Sequence, residues 1–185
     1  MKKQLGLFGI IFAFAFNSCG SSSSPIDLKP REYSLDIPEI SITVNGAHIP
    51  DRSDPEYKNY CPAVLDYLEG ESHYQDNEGR VRIRGTSSRW FKKKGYKIKF
   101  SSKVSIGGLP ASKKFNLLAS YLDPTLLRDY LAMQISHDMN VFANRYAPTI
   151  RPVKVLLDDV DQGIYYLIDD IGTGVDKINF FQVKI

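Results

Sequence analysis

The chain has 185 residues, a length that suits one domain. Its residues are 43% hydrophobic and 12% aromatic, which excludes a protein that is disordered along its whole length. The formal net charge is +3, but residues 1–18 carry two lysines and no acidic residue, so their removal would leave +1. The overall charge therefore does not indicate a nucleic-acid-binding protein, and any basic character must be local.

The first residues have the pattern of a secretory signal peptide. Lys2 and Lys3 form a positively charged start, and the apolar run of residues 5–16 is shorter than the ~20 residues that span a bilayer. We therefore predict a signal peptide over residues 1–18. The small residue before Cys19, with the glycine and serines after it, resembles the lipobox of bacterial lipoproteins. That resemblance implies cleavage before Cys19 and a lipid such as palmitate on its sulfur.

Residues 19–34 include a run of serines and lack periodicity, which is typical of a flexible tether. We expect this tether to hold a domain of residues 35–185 at a lipid bilayer through acylated Cys19. The predicted location is the cell envelope, and because serine rather than aspartate follows Gly20, the outer membrane or cell surface fits. The alternative is an ordinary signal peptide in which Cys19 carries no lipid.

The other cysteine and the three histidines predict no cross-link and no metal site. With Cys19 acylated, Cys61 has no disulfide partner, and we expect it to be a small buried apolar side chain. His48, His73 and His137 are scattered and show none of the spacings that bind zinc.

Alternating apolar residues predict a series of short strands in chain order. The predicted strands cover residues 40–44, 81–84, 96–100, 115–118, 153–157 and 164–168, with residues 63–68 either a strand or one helical turn. Asn45 and Gly46 predict a hairpin turn, and residues 158–163 a second turn that contains Asp158, Asp159 and Asp161. We expect these three aspartates to be solvated.

One helix is predicted at about residues 124–140, because Asp123 is a good cap and Pro124 a good first helical residue. The apolar positions at helical spacing are Leu127, Leu131, Ile135 and Met139. The predicted fold is therefore an α+β domain, an antiparallel sheet with one main helix.

The most informative stretch precedes the strand of residues 96–100. It contains Arg84, Gly85, Thr86, Ser87 and Ser88, a set that either forms a plain turn or holds phosphate oxygens through glycine, amides and hydroxyls. It does not match a Walker loop, which requires a different glycine and lysine spacing.

Two lysines and one arginine could join such a loop. Lys97 and Lys99 share one face of their predicted strand, where they would either reach phosphate or lie in solvent. Tyr96 and Phe100 lie on the other face, so we expect them in the core rather than stacked on nucleic acid. Arg128, near Asp123 and Asp129, has a carboxylate or a phosphate as its natural partner.

These segments, in this order, resemble the CotH kinase family, relatives of a spore coat protein with an atypical protein-kinase-like fold. The matching residues are Arg84, Gly85, Ser87, Ser88, Lys93, Lys94, Tyr96, Lys97, Ile98, Lys99, Phe100, Asp123, Thr125, Leu127, Arg128, Leu131, Ala132, Gly163, Tyr165 and Leu167. The resemblance covers about residues 37–171. Thr86 stands where the family has asparagine, and Asp169 stands where it has glutamate.

The resemblance implies an N-lobe of a protein kinase that uses ATP with Mg²⁺ or Mn²⁺ to phosphorylate Ser or Thr in secreted or surface proteins. The loop of residues 84–88 would cover the nucleotide phosphates, with Arg128 nearby. Lys97, in preference to Lys99, would reach the phosphates.

The last residue, Ile185, comes just after the predicted lobe hinge. In this family the catalytic base and the metal ligands lie in the C-lobe, so no residue here is assigned either role, and Asp169 and Asp170 are expected at the hinge or surface. We expect a truncated domain that is inactive alone. The alternative is a non-catalytic, surface-anchored binding or scaffold lipoprotein.

Overall fold

The computed structural model describes residues 36–51, 53–56, 58–143 and 148–170, with only the backbone described for residues 140–143. The predicted signal peptide, Cys19 and the tether lie outside the described residues, as do residues 171–185. Within the described part of the chain, no helix is long and apolar enough to cross a membrane.

The domain is mostly β. Its strands are β1 (Glu39–Thr43), β2 (Cys61–Pro62), β3 (Val64–Glu69), β4 (Ser72–Asp76), β5 (Arg80–Arg84), β6 (Gly95–Val104), β7 (Ser112–Leu118), β8 (Ile150–Leu157) and β9 (Val160–Asp169). Over the described ranges there is one α-helix, α1 (Arg128–Ala143), and one 3-10 turn (Ser88–Trp90). The segment that the sequence left open between strand and helix is therefore β3.

All nine strands form one curled sheet, a half-barrel, in the order β2-β5-β6-β7-β9-β8-β1-β3-β4. The predicted α+β class with one main helix is confirmed, but the sheet is mixed, because β1 pairs with β8 in parallel. Glu39 lies opposite Lys154 in that pair, and their side chains form an ion pair of 3.0 Å. Alternation predicts which residues share a face, and it carries no information on so distant a partner strand.

The sheet buries residues on both of its faces. The main core includes Ile42, Leu65, Ile98, Phe115 and Leu167, which are all fully buried. On β9, Tyr166 and Ile168 alternate with core residues and so point the other way, where they pack with Ile150 under α1. Cys61 is buried, as predicted, and burial raises the pKa of its thiol.

The helix begins four residues later than the sequence predicts. Leu126 has a φ of 56°, which a right-handed helix cannot accommodate, and its carbonyl accepts a hydrogen bond from the Tyr166 hydroxyl. The Asp123 carboxylate still caps the helix, because it accepts a hydrogen bond of 2.9 Å from the backbone amide of Arg128. The hydroxyl of Thr125 is the largest cause of a lowered pKa at Asp123.

The side of α1 that packs on the sheet is not the side marked by the apolar repeat. Tyr130 stacks on Tyr166 with ring centroids 5.9 Å apart, and Met133 packs on the same small core. The repeat itself is exposed: Leu127 is 53%, Leu131 52%, Ile135 57% and Met139 67% accessible. The spacing therefore predicted a helix correctly without predicting which side would be buried.

The turn between β8 and β9 contains two residues with positive φ, Asp158 at 47° and Asp159 at 63°. Their conformation is typical of the tight hairpin turns that match strand twist. The Asp158 carboxylate is not simply solvated, because it accepts hydrogen bonds of 2.7 Å from the Val44 amide and 3.2 Å from the Asn45 amide. It thereby fixes the end of β1 to the β8–β9 hairpin.

The two sides of α1 can be compared by a matched pair of substitutions. We expect Met133→Ala to lower the free energy of unfolding by about 1–2 kcal/mol, because a half-buried side chain is lost from a packed core. Ile135→Ala should change it by less than about 0.5 kcal/mol, because that side chain is exposed. Urea denaturation of both variants measures the two changes. An equal loss of unfolding free energy in Ile135→Ala would contradict the exposed position of that side chain.

Candidate anion-binding site

Three adjacent strands place a cationic row on the face opposite the main core. On β6, Tyr96 and Phe100 are buried in that core, as predicted, so Lys97 and Lys99 point the other way. The register puts Arg82 of β5 on one side of Lys97 and Asn116 of β7 on the other. Cations that lie directly opposite one another repel, so nearby anions stabilise this row.

Asp170 supplies the first of these anions. Its two carboxylate oxygens accept hydrogen bonds of 2.7 and 2.8 Å from the Lys97 ammonium, and one also accepts a hydrogen bond of 3.2 Å from the Asn116 amide. The side chains of Lys97 and Asp170 are only 17% and 26% accessible, so water screens the pair less than it would a surface pair. Sequence reasoning had assigned Asp170 to a hinge or the surface and missed this contact.

The loop after β5 is built around Gly85. Its φ is 97°, and a Cβ added there would lie 1.9 Å from the hydroxyl oxygen of Ser88, so only glycine fits. Arg89, which is 6% accessible, donates hydrogen bonds to the carbonyls of Gly85 and Ile83 and so closes the loop. Arg89 was not among the predicted site residues, although an arginine directly after a glycine and serine loop is a signal that could have found it.

The row and the loop enclose an open pocket of about 370 Å³. Its lining residues are Arg82, Arg84, Gly85, Thr86, Arg89, Lys97, Asn116, Ile168 and Asp170. Four of the side chains in that set carry a positive charge and one, Asp170, carries a negative charge. The pocket is therefore suited to an anionic ligand.

The guanidinium groups of two arginines in this pocket have lost part of their contact with water. The Nε atom of Arg82 is buried and has no hydrogen-bond partner within the described residues. Burial lowers the pKa of the Arg84 guanidinium, while the Asp170 carboxylate acts in the opposite direction. A guanidinium that has lost water without gaining a full set of acceptors binds a multivalent anion favourably.

The predicted site residues do not all line one pocket. Arg84, Gly85, Thr86 and Lys97 share the pocket just described. Arg84 also borders a second open pocket of about 440 Å³ with Ser88 and Arg128. The Arg128 guanidinium lies 3.7 Å from the Asp123 carboxylate, and its side chain is 78% accessible.

The other two predicted residues lie apart from Lys97. Lys99 lines a third pocket, of about 460 Å³, with Arg80. Ser87 supports the 3-10 turn, where its carbonyl accepts a hydrogen bond of 3.1 Å from the Trp90 amide. The structure therefore places Lys97 and Lys99 in different pockets, whereas the sequence only favours Lys97 over Lys99 as the phosphate contact.

The donor set fits phosphate oxygens better than it fits a metal ion. Glycine at the loop and arginine and lysine around the pocket provide hydrogen-bond donors and positive charge. No group of three or more His, Cys, Asp or Glu side chains able to hold a metal ion occurs among the residues that the structure describes. The pocket is therefore suited to a phosphorylated ligand, and no metal-dependent step is assigned to it.

Sequence comparison identifies the family of the chain. No curated protein matches the chain. The model of the CotH kinase protein family matches residues 81–184, more than half of the chain, and this span contains Gly85, Lys97 and Asp170. The chain therefore belongs to the CotH kinase family.

Proposed function

We propose that this chain is the nucleotide-binding lobe of a protein Ser/Thr kinase that is tethered to the cell envelope. Membership of the CotH kinase family implies ATP as the cofactor. The observation that carries the proposal is the position of Lys97, whose ammonium lies in the pocket bounded by the Gly85 loop and by three arginines. This combination of glycine, lysine and arginine suits a triphosphate.

Lys97 would bind the phosphates while Asp170 keeps it in position. An ammonium group has three donors, and the two Asp170 oxygens leave one of them for a phosphate oxygen. Asn116 holds the Asp170 carboxylate in turn, so three residues from β6, β7 and the end of β9 form one connected arrangement. Such preorganisation lowers the entropy lost when the ligand binds.

Arg82 and Arg84 would neutralise the remaining phosphate charge, and Arg89 would keep the loop closed around it. ATP, when bound, supplies the phosphoryl group. The divalent cation that accompanies it, Mg²⁺ or Mn²⁺ in this proposal, needs carboxylate ligands, and the pocket contributes only Asp170, which already holds Lys97. The proposal therefore assigns nucleotide binding to the described residues and assigns them neither the catalytic base nor the metal.

A direct test compares Lys97→Ala with the matched control Lys99→Ala. Both substitutions remove one lysine from the same face of β6, but only Lys97 lines the proposed phosphate pocket. We expect Lys97→Ala to weaken ATP binding by about tenfold or more, because a hydrogen bond from a charged group contributes about 1.5–3 kcal/mol. Lys99→Ala should weaken it less than about threefold, as for a charge that lies outside the phosphate pocket.

Isothermal titration calorimetry of ATP into the two variants and the unchanged protein measures the difference. Thermal unfolding of each variant shows whether its fold is retained. Equal losses in the two variants would contradict the assignment of Lys97, and an unchanged protein that does not bind ATP would contradict nucleotide binding altogether.

The tether is a separate part of the proposal. It rests on the lipobox-like sequence at Cys19, which implies acylation of the sulfur and anchorage in a bilayer. The phosphorylated partner would then be a secreted or surface protein that meets the domain outside the cytoplasm. Two cysteines in the chain allow a matched test, because Cys61 is buried in the domain.

We expect Cys19→Ser to abolish incorporation of radiolabelled palmitate in bacterial cells, since it removes the only thiol at the predicted cleavage site. Cys61→Ser should incorporate the label normally. Gel autoradiography of the two variants checks this, and label that persists in Cys19→Ser would overturn lipid anchorage at that residue.

A further inference from the structure

We propose a second anion-binding site on the same sheet face, formed by Arg80, Lys99, Lys113 and Lys114, which receives an acidic segment of a polypeptide partner. The site lies two residues along β6 from Lys97. Residues so spaced on a strand lie about 7 Å apart, so the two sites are adjacent but distinct. The proposal goes beyond nucleotide binding and does not require ATP.

The register of the sheet creates the site. Lys99 of β6 lies directly between Arg80 of β5 and Lys114 of β7. Side chains in such positions have Cβ atoms about 4.5–5.5 Å apart, so three positive charges are held in a line against their mutual repulsion. Nothing in the backbone pairing requires cations there, since exposed positions of a strand accept many polar residues.

The row of Arg80, Lys99 and Lys114 has no ion-pair partner among the residues that the structure describes. Lys97 in the first row has Asp170, whereas no carboxylate forms an ion pair with Arg80, Lys99 or Lys114 within the described part of the chain. The row is therefore open to an external anion.

The site also has the shape of a binding pocket. Arg80, Lys99 and Lys113 line an open cavity of about 460 Å³, which contains one acidic residue, Glu78. The Lys113 ammonium is held at the rim, because it donates a hydrogen bond of 2.7 Å to the Ser101 carbonyl. The cavity therefore has a net positive lining and room for a carboxylate or phosphate group.

The spacing and the neighbours favour a polypeptide over a nucleic acid. An extended peptide with acidic residues at alternate positions presents charges about 7 Å apart. The row of Arg80, Lys99 and Lys114 spans two strand spacings of roughly 4.7–4.9 Å each, so its long cationic side chains can reach two such carboxylates. Single-stranded nucleic acids are bound mainly by exposed aromatic side chains. The aromatic residues adjacent in sequence to Lys99 and Lys114, Phe100 and Phe115, are 1% and 0% accessible and belong to the core on the other face.

The test uses the chain with Cys19→Ser, to prevent acylation, and a fluorescein-labelled octaglutamate peptide as the probe. Fluorescence anisotropy at low ionic strength measures binding, because screening weakens such contacts at high salt. The double variant Lys99→Glu and Lys114→Glu should bind the peptide at least about tenfold more weakly than the parent. Lys114 is exposed and Lys99 is half-buried, so thermal unfolding of the double variant checks that its fold is retained.

A matched control carries Lys92→Glu and Lys103→Glu, which change the net charge equally at exposed positions outside both the cavity and the row of Arg80, Lys99 and Lys114. It should lose less than about threefold in peptide affinity. If the two double variants lose equal peptide affinity, net charge alone explains the binding, and that result would overturn the site. A parent chain that does not bind the peptide would overturn it as well.

Two further measurements identify the ligand and separate this site from the nucleotide pocket. The Lys99 and Lys114 double variant should keep ATP affinity within about threefold of the parent, and a selective loss of ATP binding would place this row in the nucleotide site instead. Tighter binding of oligothymidylate, or of vesicles of equal parts phosphatidylglycerol and phosphatidylcholine, would overturn the polypeptide assignment. If ATP fails to bind while octaglutamate binds selectively, this inference stands and the proposed nucleotide function falls.

Discussion

Repulsion between cations on the face of β5, β6 and β7 opposite the main core is the constraint on which the proposed anion binding depends. The core holds these cations in place, since a shift of one residue along β6 would bury Lys97 and expose Ile98. Hydrophobic packing on one side of the sheet therefore fixes an electrostatic arrangement on the other. The anionic partners of that arrangement have to come from elsewhere in the fold or from a ligand.

The fold supplies some of those anions and leaves room for more. Asp170 reaches Lys97 from the end of β9, and Asn116 of β7 supports the carboxylate. Arg89 uses its guanidinium to hold loop carbonyls, so it shapes the pocket as well as adding charge. The result is a set of donors beside a glycine whose positive φ other residues rarely adopt, an arrangement that suits phosphate recognition.

Local patterns in the sequence predicted much of this domain. Alternation identified the strands and placed Lys97 and Lys99 on one face. The sequence also indicates a loop at Gly85, and the φ of that residue is 97°. Long-range features could not be predicted in the same way. Asp170 is 73 residues from Lys97 along the chain, and the parallel pairing of β1 with β8 is equally non-local. The buried side of α1 depends on Tyr166 of β9, so the apolar repeat in the helix misleads when read alone.

The binding of nucleotide phosphates by the Lys97 pocket can be observed in a crystal structure with a non-hydrolysable ATP analogue. A phosphate oxygen should lie within about 3 Å of the Lys97 ammonium, with Arg82 or Arg84 on a second oxygen. A nucleotide whose phosphates lie away from Lys97, or crystals grown at saturating analogue that contain none, would contradict it.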